Sequence, residues 1–204
     1  MSNLKEITIL YVEDENDTRE MLGRLLKKWS AQIYLATNGI EGLDLFKKYN
    51  PDIIISDIRM PEKNGIEMMK EIRKLNKHVP VVFTTAHGES SYLHDAIKLK
   101  ASSYLLKPIS KNILKEQLEI KAESILFERK KQQHSNMLQS IIDIDKNMVF
   151  ATDNKKIHFV NKTMLDFFQV KDSEVFCEKT KCFCEIFIEK DGYLSTSLIK
   201  EEEK

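Results

Sequence analysis

The first part of this 204-residue chain predicts an α/β fold: a doubly wound (βα)5 parallel sheet, followed by a long connecting helix and a small α+β region. Three observations carry the prediction. Five short β-branched or aromatic runs alternate with five amphipathic segments, the rhythm of consecutive βα units with helices on both faces of a sheet. The third run, Ile53-Ile54-Ile55, is continuously apolar behind Pro51, as suits a strand buried on both faces. Four of the runs end in charged or hydroxyl residues, and in open α/β sheets the ligand crevice lies outside the carboxyl ends of the strands.

The elements follow in order. Ile7 to Val12 is a β-branched and aromatic strand ending in Glu13-Asp14-Glu15. Asp17 or Asn16 can cap a first helix whose apolar positions Met21, Leu22, Leu25, Leu26 and Trp29 recur at helical spacing. Ile33 to Ala36 is the second strand. Asn38-Gly39 turns into a second helix carrying Ile40, Leu43, Leu45 and Phe46, which stops before Pro51. The third strand runs into Asp57, and Asn64-Gly65 opens a helix through Ile66, Met69, Ile72 and Leu75. Val79 to Thr85 is the fourth strand, followed by a helix with Leu93, Ala96, Ile97 and Leu99. Ser103 to Leu106 is the fifth strand, ending at Lys107-Pro108. Ser110 can cap the next helix, with Ile113, Leu114, Leu118 and Ile125.

Composition narrows the function classes. Hydrophobic residues are 42% and charged residues 31% of the chain, an ordinary globular balance, and the formal net charge is zero. That balance makes no case for nucleic acid or an anionic membrane as partner. The N-terminus lacks the apolar region of a signal peptide, and no stretch is long enough to span a bilayer. Cys177, Cys182 and Cys184 are odd in number and all late, so a disulfide framework is not expected and a reducing cytoplasm is the default location.

The strand-end residues define a chemistry. Glu13 and Asp14 follow strand one, Asp57 ends strand three, Thr85 strand four and Lys107 strand five. Three clustered carboxylates repel one another unless a cation joins them. An oxygen-rich, partly open site suits Mg2+, which keeps several waters and bridges readily to phosphate. A lysine offers a point charge and a threonine a hydrogen bond to phosphoryl oxygens. The set fits attack by a carboxylate on a phosphoryl group, where positioning and charge neutralisation provide most of the catalysis. Taken singly, an Asp after a strand is ordinarily a cap and a Lys-Pro ordinarily punctuation; the conjunction at four strand ends is what carries weight.

With those residues assembled, the segment from about Leu4 to Lys121 resembles a response-regulator receiver domain of two-component signalling. The matching residues are Glu13-Asp14, Asp57-Ile58-Arg59-Met60-Pro61, Asn64-Gly65, Thr85-Ala86, Tyr104 and Lys107-Pro108. The resemblance implies a flavodoxin-like sheet of order 2-1-3-4-5. It implies that Asp57 accepts phosphate from a histidine kinase or phosphotransfer protein. Asp14, Asp57 and the Arg59 main-chain carbonyl would ligate Mg2+, with Glu13 acting through a metal-bound water; no organic cofactor is implied. Lys107 and Thr85 would bind phosphoryl oxygens. Thr85 and Tyr104 would form the switch, remodelling the face of the fourth helix, fifth strand and fifth helix. Arg59 and His87 occupy positions that tune phosphate lifetime in the family, and their bulk predicts slow self-dephosphorylation. Lys100 stands where the family usually has glycine before the alanine of strand five, a departure that touches the turn and not the site.

Domain organisation follows: a receiver over 1–122, a helical linker over 123–138, and a region over 139–204 that ends without a recognisable catalytic output. The linker reads either as a solvated connector or as a short parallel coiled coil, from the rhythm Leu114, Leu118, Lys121-Ala122, Ile125 and Glu128. Homodimerisation through that helix, or through the switch face, is compatible with either. Met148 to Asp153 and Lys155 to Lys162 read as a hairpin, followed by a helix from Thr163 to Phe168. This run, with Asn161 after its second strand, resembles the opening of a PAS sensory domain. Cys177, Cys182 and Cys184 lack paired zinc-site spacing and read as packing residues, and His158 as a partly exposed strand residue. No basic recognition helix follows residue 122, which disfavours direct DNA binding. The leading function is a Mg2+-dependent phosphoacceptor switch, catalysing its own phosphoryl transfer, that controls an attached or partner output. The alternatives are a phosphorylation-independent interaction module, or a ligand sensor acting through the C-terminal region.

Overall fold

The computed structural model describes residues 2–86, 99, 102–153, 157–171, 173, 175 and 176. A short 3-10 turn, Asn3–Glu6, leads into β1, Thr8–Val12. Then follow α1 (Asn16–Trp29), β2 (Gln32–Ala36), α2 (Gly39–Tyr49), β3 (Ile53–Asp57), α3 (Gly65–Leu75), β4 (Val81–Thr85) and β5 (Ser103–Leu106). The long helix α4 covers Lys111–Ile144. Two short strands, β6 (Phe150–Thr152) and β7 (Ile157–Val160), precede α5, Lys162–Phe167. The helix expected around Leu93, Ala96 and Ile97 lies outside the described residues, except that Leu99 packs against the core.

The five strands form one parallel sheet in the order β2-β1-β3-β4-β5. The flavodoxin-like order expected from the sequence is therefore the order observed. Strand periodicity explains the two core layers, because successive side chains point to opposite faces. Leu10, Val12, Ile54, Val81 and Phe83 pack on one face with Leu43, Phe46, Ile66, Met69 and Ile72 of α2 and α3. Ile9, Tyr11, Ile53, Ile55 and Val82 pack on the other with Leu22 and Leu26 of α1 and Leu114, Leu118 and Ala122 of α4. Ile53, Ile54 and Ile55 are each fully buried, which is why that run lacks alternation.

Several local details differ from the sequence reading. The first helix is capped at Glu15, with no side-chain cap bond, rather than by Asp17 or Asn16. Asn16 Oδ1 instead accepts from Arg19 Nη2 at 2.7 Å, so its cap function is diverted to a neighbour. Met21 and Ile40 are exposed, at 63% and 45%, because each helix turns them just outside its buried stripe. Strand four begins at Val81, since Pro80 has no N–H for the ladder and contributes only its carbonyl, to Ile54 N at 3.0 Å. Asn38 and Asn64 act as helix caps. Asn38 Oδ1 accepts from Ile40 N and Glu41 N, and Asn64 forms a reciprocal capping box with Glu67.

The apolar rhythm at the start of α4 is used within the first compact unit. Leu114, Leu118 and Ala122 are fully buried against the sheet, so they do not supply a coiled-coil seam. Ile125 and Leu126 continue that packing, and Arg129 Nη2 contacts Asp52 Oδ1 at the amino-terminal edge of β3. Asp52 Oδ2 also accepts from Thr8 N and Thr8 Oγ1, both at 2.9 Å. The first compact unit accordingly runs from Met1 to Arg129 and the second from Lys130 to Lys204.

In the second unit β6 and β7 are antiparallel, with Phe150 opposite Val160 and Ala151 opposite Phe159. Ile157, Val160, Met164 and Phe176 form a small core. Asn161 is fully buried and caps α5; its Nδ2 donates to the Asn147 carbonyl at 2.8 Å and its Oδ1 accepts from Val149 N at 3.0 Å. His158 pairs with Asp153 at 2.8 Å on a half-exposed strand. Cys177, Cys182 and Cys184 lie outside the described residues. No helix among the described residues is long and apolar enough to cross a membrane.

Gly65 tests the packing between β3 and α3. Its N–H donates to the Ile58 carbonyl at 2.9 Å, and a methyl group there would overlap the Asp57 carbonyl oxygen and lie 2.8 Å from Ser56 Oγ. A Gly65→Ala substitution is expected to destabilise the first unit by about 1–3 kcal/mol, the usual cost of overpacking, seen as a lower urea midpoint. An unchanged midpoint would show that the loop relaxes freely.

Candidate functional site

The carboxyl ends of β1, β3 and β5 converge on a small acidic pocket. Parallel register places Tyr11 beside Ile55 and Val12 beside Ser56, so the residues after Val12 open next to Asp57. Glu13 N–H continues the ladder, donating to the Ala36 carbonyl at 3.0 Å, which holds Glu13 at the sheet edge while its side chain stays fully buried. Arg19 Nη1 donates to the carbonyls of Glu13 and Asp14 at 2.8 and 3.0 Å, fixing the turn that presents both acids. Asp57 is 8% exposed, and Ile58 N bonds the Thr84 carbonyl of the neighbouring strand.

Lys107 joins these parts. Its backbone N–H donates to the Thr85 carbonyl at 2.8 Å, and the Lys107-Pro108 peptide is cis. Its Nζ lies 3.0 Å from Glu13 Oε1 and 2.9 Å from Glu13 Oε2, and contacts Asp57 Oδ2 more closely still. Burial alone would pull the ammonium's pKa down, but bonds to Asp57 and Glu13 outweigh it and the net shift is upward. Lys107 therefore stays charged, and its contribution to stability persists until pH rises past its ordinary value of 10.5. Glu13 shifts upward, chiefly from burial, with Lys107 opposing and the Asp57 charge adding to the rise.

One carboxylate oxygen from each of Glu13, Asp14 and Asp57 lies within 4.8 Å of the others, a set that could hold a metal ion. All-oxygen donors with one exposed member, Asp14, suit a hard cation that keeps part of its water shell. The donor set therefore fits the divalent ion expected from the sequence.

The remaining expected residues divide. Thr85 sits at the end of β4 with 9% exposure, and its Oγ1 donates to the Ala86 carbonyl at 3.3 Å. Arg59 N–H reaches Asp57 Oδ1 at 3.3 Å. Tyr104 is not among the groups that touch the acids. Its ring stacks on Phe83 at 6.1 Å, with a buried hydroxyl that has no partner among the described residues. His87 lies outside the described residues. Tyr11, by its pattern a plain strand residue, donates from its hydroxyl to Glu13 Oε2 at 3.2 Å. The signal that could have found it is its spacing: two residues before Glu13 on one strand puts both side chains on one face.

Because the folded-state pKa of Glu13 is raised, the folded protein keeps its proton longer than the unfolded chain does. Stability is thus greatest below the ordinary value of 4.5 and falls as pH rises through the raised value. Glu13→Gln, which mimics the protonated acid, is expected to melt higher than the wild type at neutral pH without metal and to lose this pH slope. Thermal scans across pH 4 to 8 (roughly the span bracketing the shift) would contradict this if both proteins fell in parallel.

Comparison with known proteins agrees with the geometry. The family of response regulator receiver domains matches over residues 9–119. The chain is 33% identical over 178 residues to the sensory transduction protein LytT of Oceanobacillus iheyensis, covering 79% of this chain and 70% of LytT. It is 35% identical over 105 residues to the transcriptional regulatory protein ZraR of Klebsiella oxytoca, covering 52% of this chain and 24% of ZraR, so it spans about a quarter of that relative's length. The crystal structure of the N-terminal domain of an uncharacterized protein from Wolinella succinogenes is similar, with a TM-score of 0.58 at 36% identity over 60% of this chain and 98% of that one. With its sheet order and its matching span, the chain belongs to the response regulator receiver family of two-component signalling.

Proposed function

We propose that this chain is the phosphoacceptor switch of a two-component phosphorelay, with Asp57 as the residue that takes the phosphoryl group. The observation that carries the reading is the convergence on one pocket of Asp57, Glu13, Asp14 and the Lys107 ammonium, from the ends of different strands. Histidine kinases and phosphotransfer proteins are the donors that receiver domains use, and this chain's donor would be one of them.

An Asp57 carboxylate oxygen attacks phosphorus, the phosphorus–nitrogen bond of the donor phosphohistidine breaks, and its electron pair returns to the imidazole. Lys107, already in contact with Asp57, is placed to follow the charge onto the phosphoryl oxygens. Thr85 stands at the adjoining strand end to give them a hydroxyl. Asp14, Asp57 and the Arg59 carbonyl would hold Mg2+, and Glu13 would act through a metal-bound water. When bound, the ion supplies charge neutralisation on the phosphoryl group. Thr85 and Tyr104 would pass the change to the face that includes β5.

The boundaries 1–122, 123–138 and 139–204 remain the organisation we favour for receiver, linker and sensory region. A PAS-like identity for the last is supported by the β6–β7 pair and by the buried Asn161 that caps the following helix. A ligand-sensing role would reside there.

Two measurements test the phosphoacceptor reading. Fluorine NMR with Mg2+ and beryllofluoride is expected to show a bound signal for the wild type and none for Asp57→Ala; a silent wild type would remove the reading. An Arg59→Ala, His87→Ala double variant is expected to lose phosphate faster than the wild type, by about tenfold if one water-blocking contact is removed. Equal decay would dismiss the timing role of this pair.

A further inference from the structure

Beneath the acidic pocket lies a group that the phosphoacceptor reading does not use. Tyr11 is fully buried, packed among Ile9, Ile53, Ile55 and the α1 and α4 side chains, and its hydroxyl rises to Glu13 Oε2 at 3.2 Å. Buried tyrosine hydroxyls usually find a hydrogen-bond partner, and here the partner is a carboxylate that is itself fully buried. A phenol keeps its proton at neutral pH, so toward the carboxylate it acts as the donor.

Glu13 presents about four lone-pair sites, as any ionised carboxylate does. Lys107 hydrogen-bonds Oε1 at 3.0 Å and stands as an ion pair 2.9 Å from Oε2, while Tyr11 donates to Oε2. Lys107 is at the same time engaged with Asp57 Oδ2. Were the Tyr11 hydroxyl gone, Oε2 would lose its hydrogen-bond donor from the core side. The carboxylate would then lean further on Lys107 and draw it from Asp57. The phenol ring is fully buried within the core cluster, so the hydroxyl is presented from a packed core rather than from a solvent-exposed side chain.

We infer that Tyr11 is a positioning residue of the acidic pocket: its hydroxyl holds the Glu13 carboxylate from beneath, so that Glu13 can serve a bound divalent cation while Lys107 stays on Asp57. The inference rests on reading the pocket as a Mg2+ site.

Tyr11→Phe removes one oxygen and keeps the ring. Titration calorimetry with Mg2+ is expected to show weaker binding, by about tenfold, the size of a hydrogen bond to a charged group. In phosphorylation by a small acyl phosphate, the half-saturating Mg2+ concentration is expected to rise while the rate at saturating Mg2+ is kept. In a Glu13→Gln background the same substitution is expected to change Mg2+ affinity no further. A merely structural tyrosine would lower the melting temperature and affect both backgrounds alike. Unchanged Mg2+ affinity in Tyr11→Phe, or an equal loss in both backgrounds, overturns the inference. The phosphoacceptor reading would fail separately, through a wild type that binds Mg2+ but captures no beryllofluoride.

Discussion

The Lys107 ammonium, shared between the Glu13 and Asp57 carboxylates, is the interaction on which the rest of the site depends. A carboxylate with no exposure and another with 8% would be strongly disfavoured as anions if left to themselves. One cation cannot neutralise three acids, so the pocket keeps a net demand for positive charge. That residual demand gives the exposed Asp14 its significance, since it opens the cluster to solvent and to an ion from outside. The arrangement is costly for folding and useful for chemistry, the usual tension at a site built from clustered charges.

The scaffold meets this cost with rigid backbone. Glu13, Asp57 and Lys107 stand at the ends of parallel strands and are held by ladder bonds from the N–H of Glu13, Ile58 and Lys107. Arg19 ties down the acidic turn by its carbonyls, leaving both acid side chains free of it. Gly65 lets the start of α3 press against the Asp57 carbonyl, and the Asn64–Glu67 capping box holds that start in place. Each device orients the pocket through main-chain atoms and leaves the carboxylates and the ammonium to face one another.

The same economy governs α4. Its first turns bury Leu114, Leu118 and Ala122 against the sheet, and Arg129 closes the first compact unit on Asp52 at the edge opposite the acids. Strands β1 and β3 therefore run from the Thr8–Asp52–Arg129 cluster at one end to the Glu13–Asp57–Lys107 cluster at the other. In the second unit a single buried amide, Asn161, satisfies the ends of several segments at once.

Much of the fold was readable from pattern, because periodicity and strand-end residues are local properties of a sequence. The continuous run Ile53 to Ile55 announced a doubly covered strand, and the acids, threonine and lysine at strand ends announced a shared crevice. Caps were read less well: Asn16 looked like a cap, yet Arg19 claims its oxygen, and which of two polar neighbours wins is decided by reach in three dimensions. The α4 rhythm was equally ambiguous, since apolar spacing does not say whether a helix packs on its own sheet or on another helix. By itself the sequence determined the α/β class and the residue types gathered at the carboxyl edge. Only the tertiary structure decided that Lys107 bridges two particular acids and that Tyr11 reaches one of them from below, because contacts between strands depend on register and depth, which residue order does not encode directly.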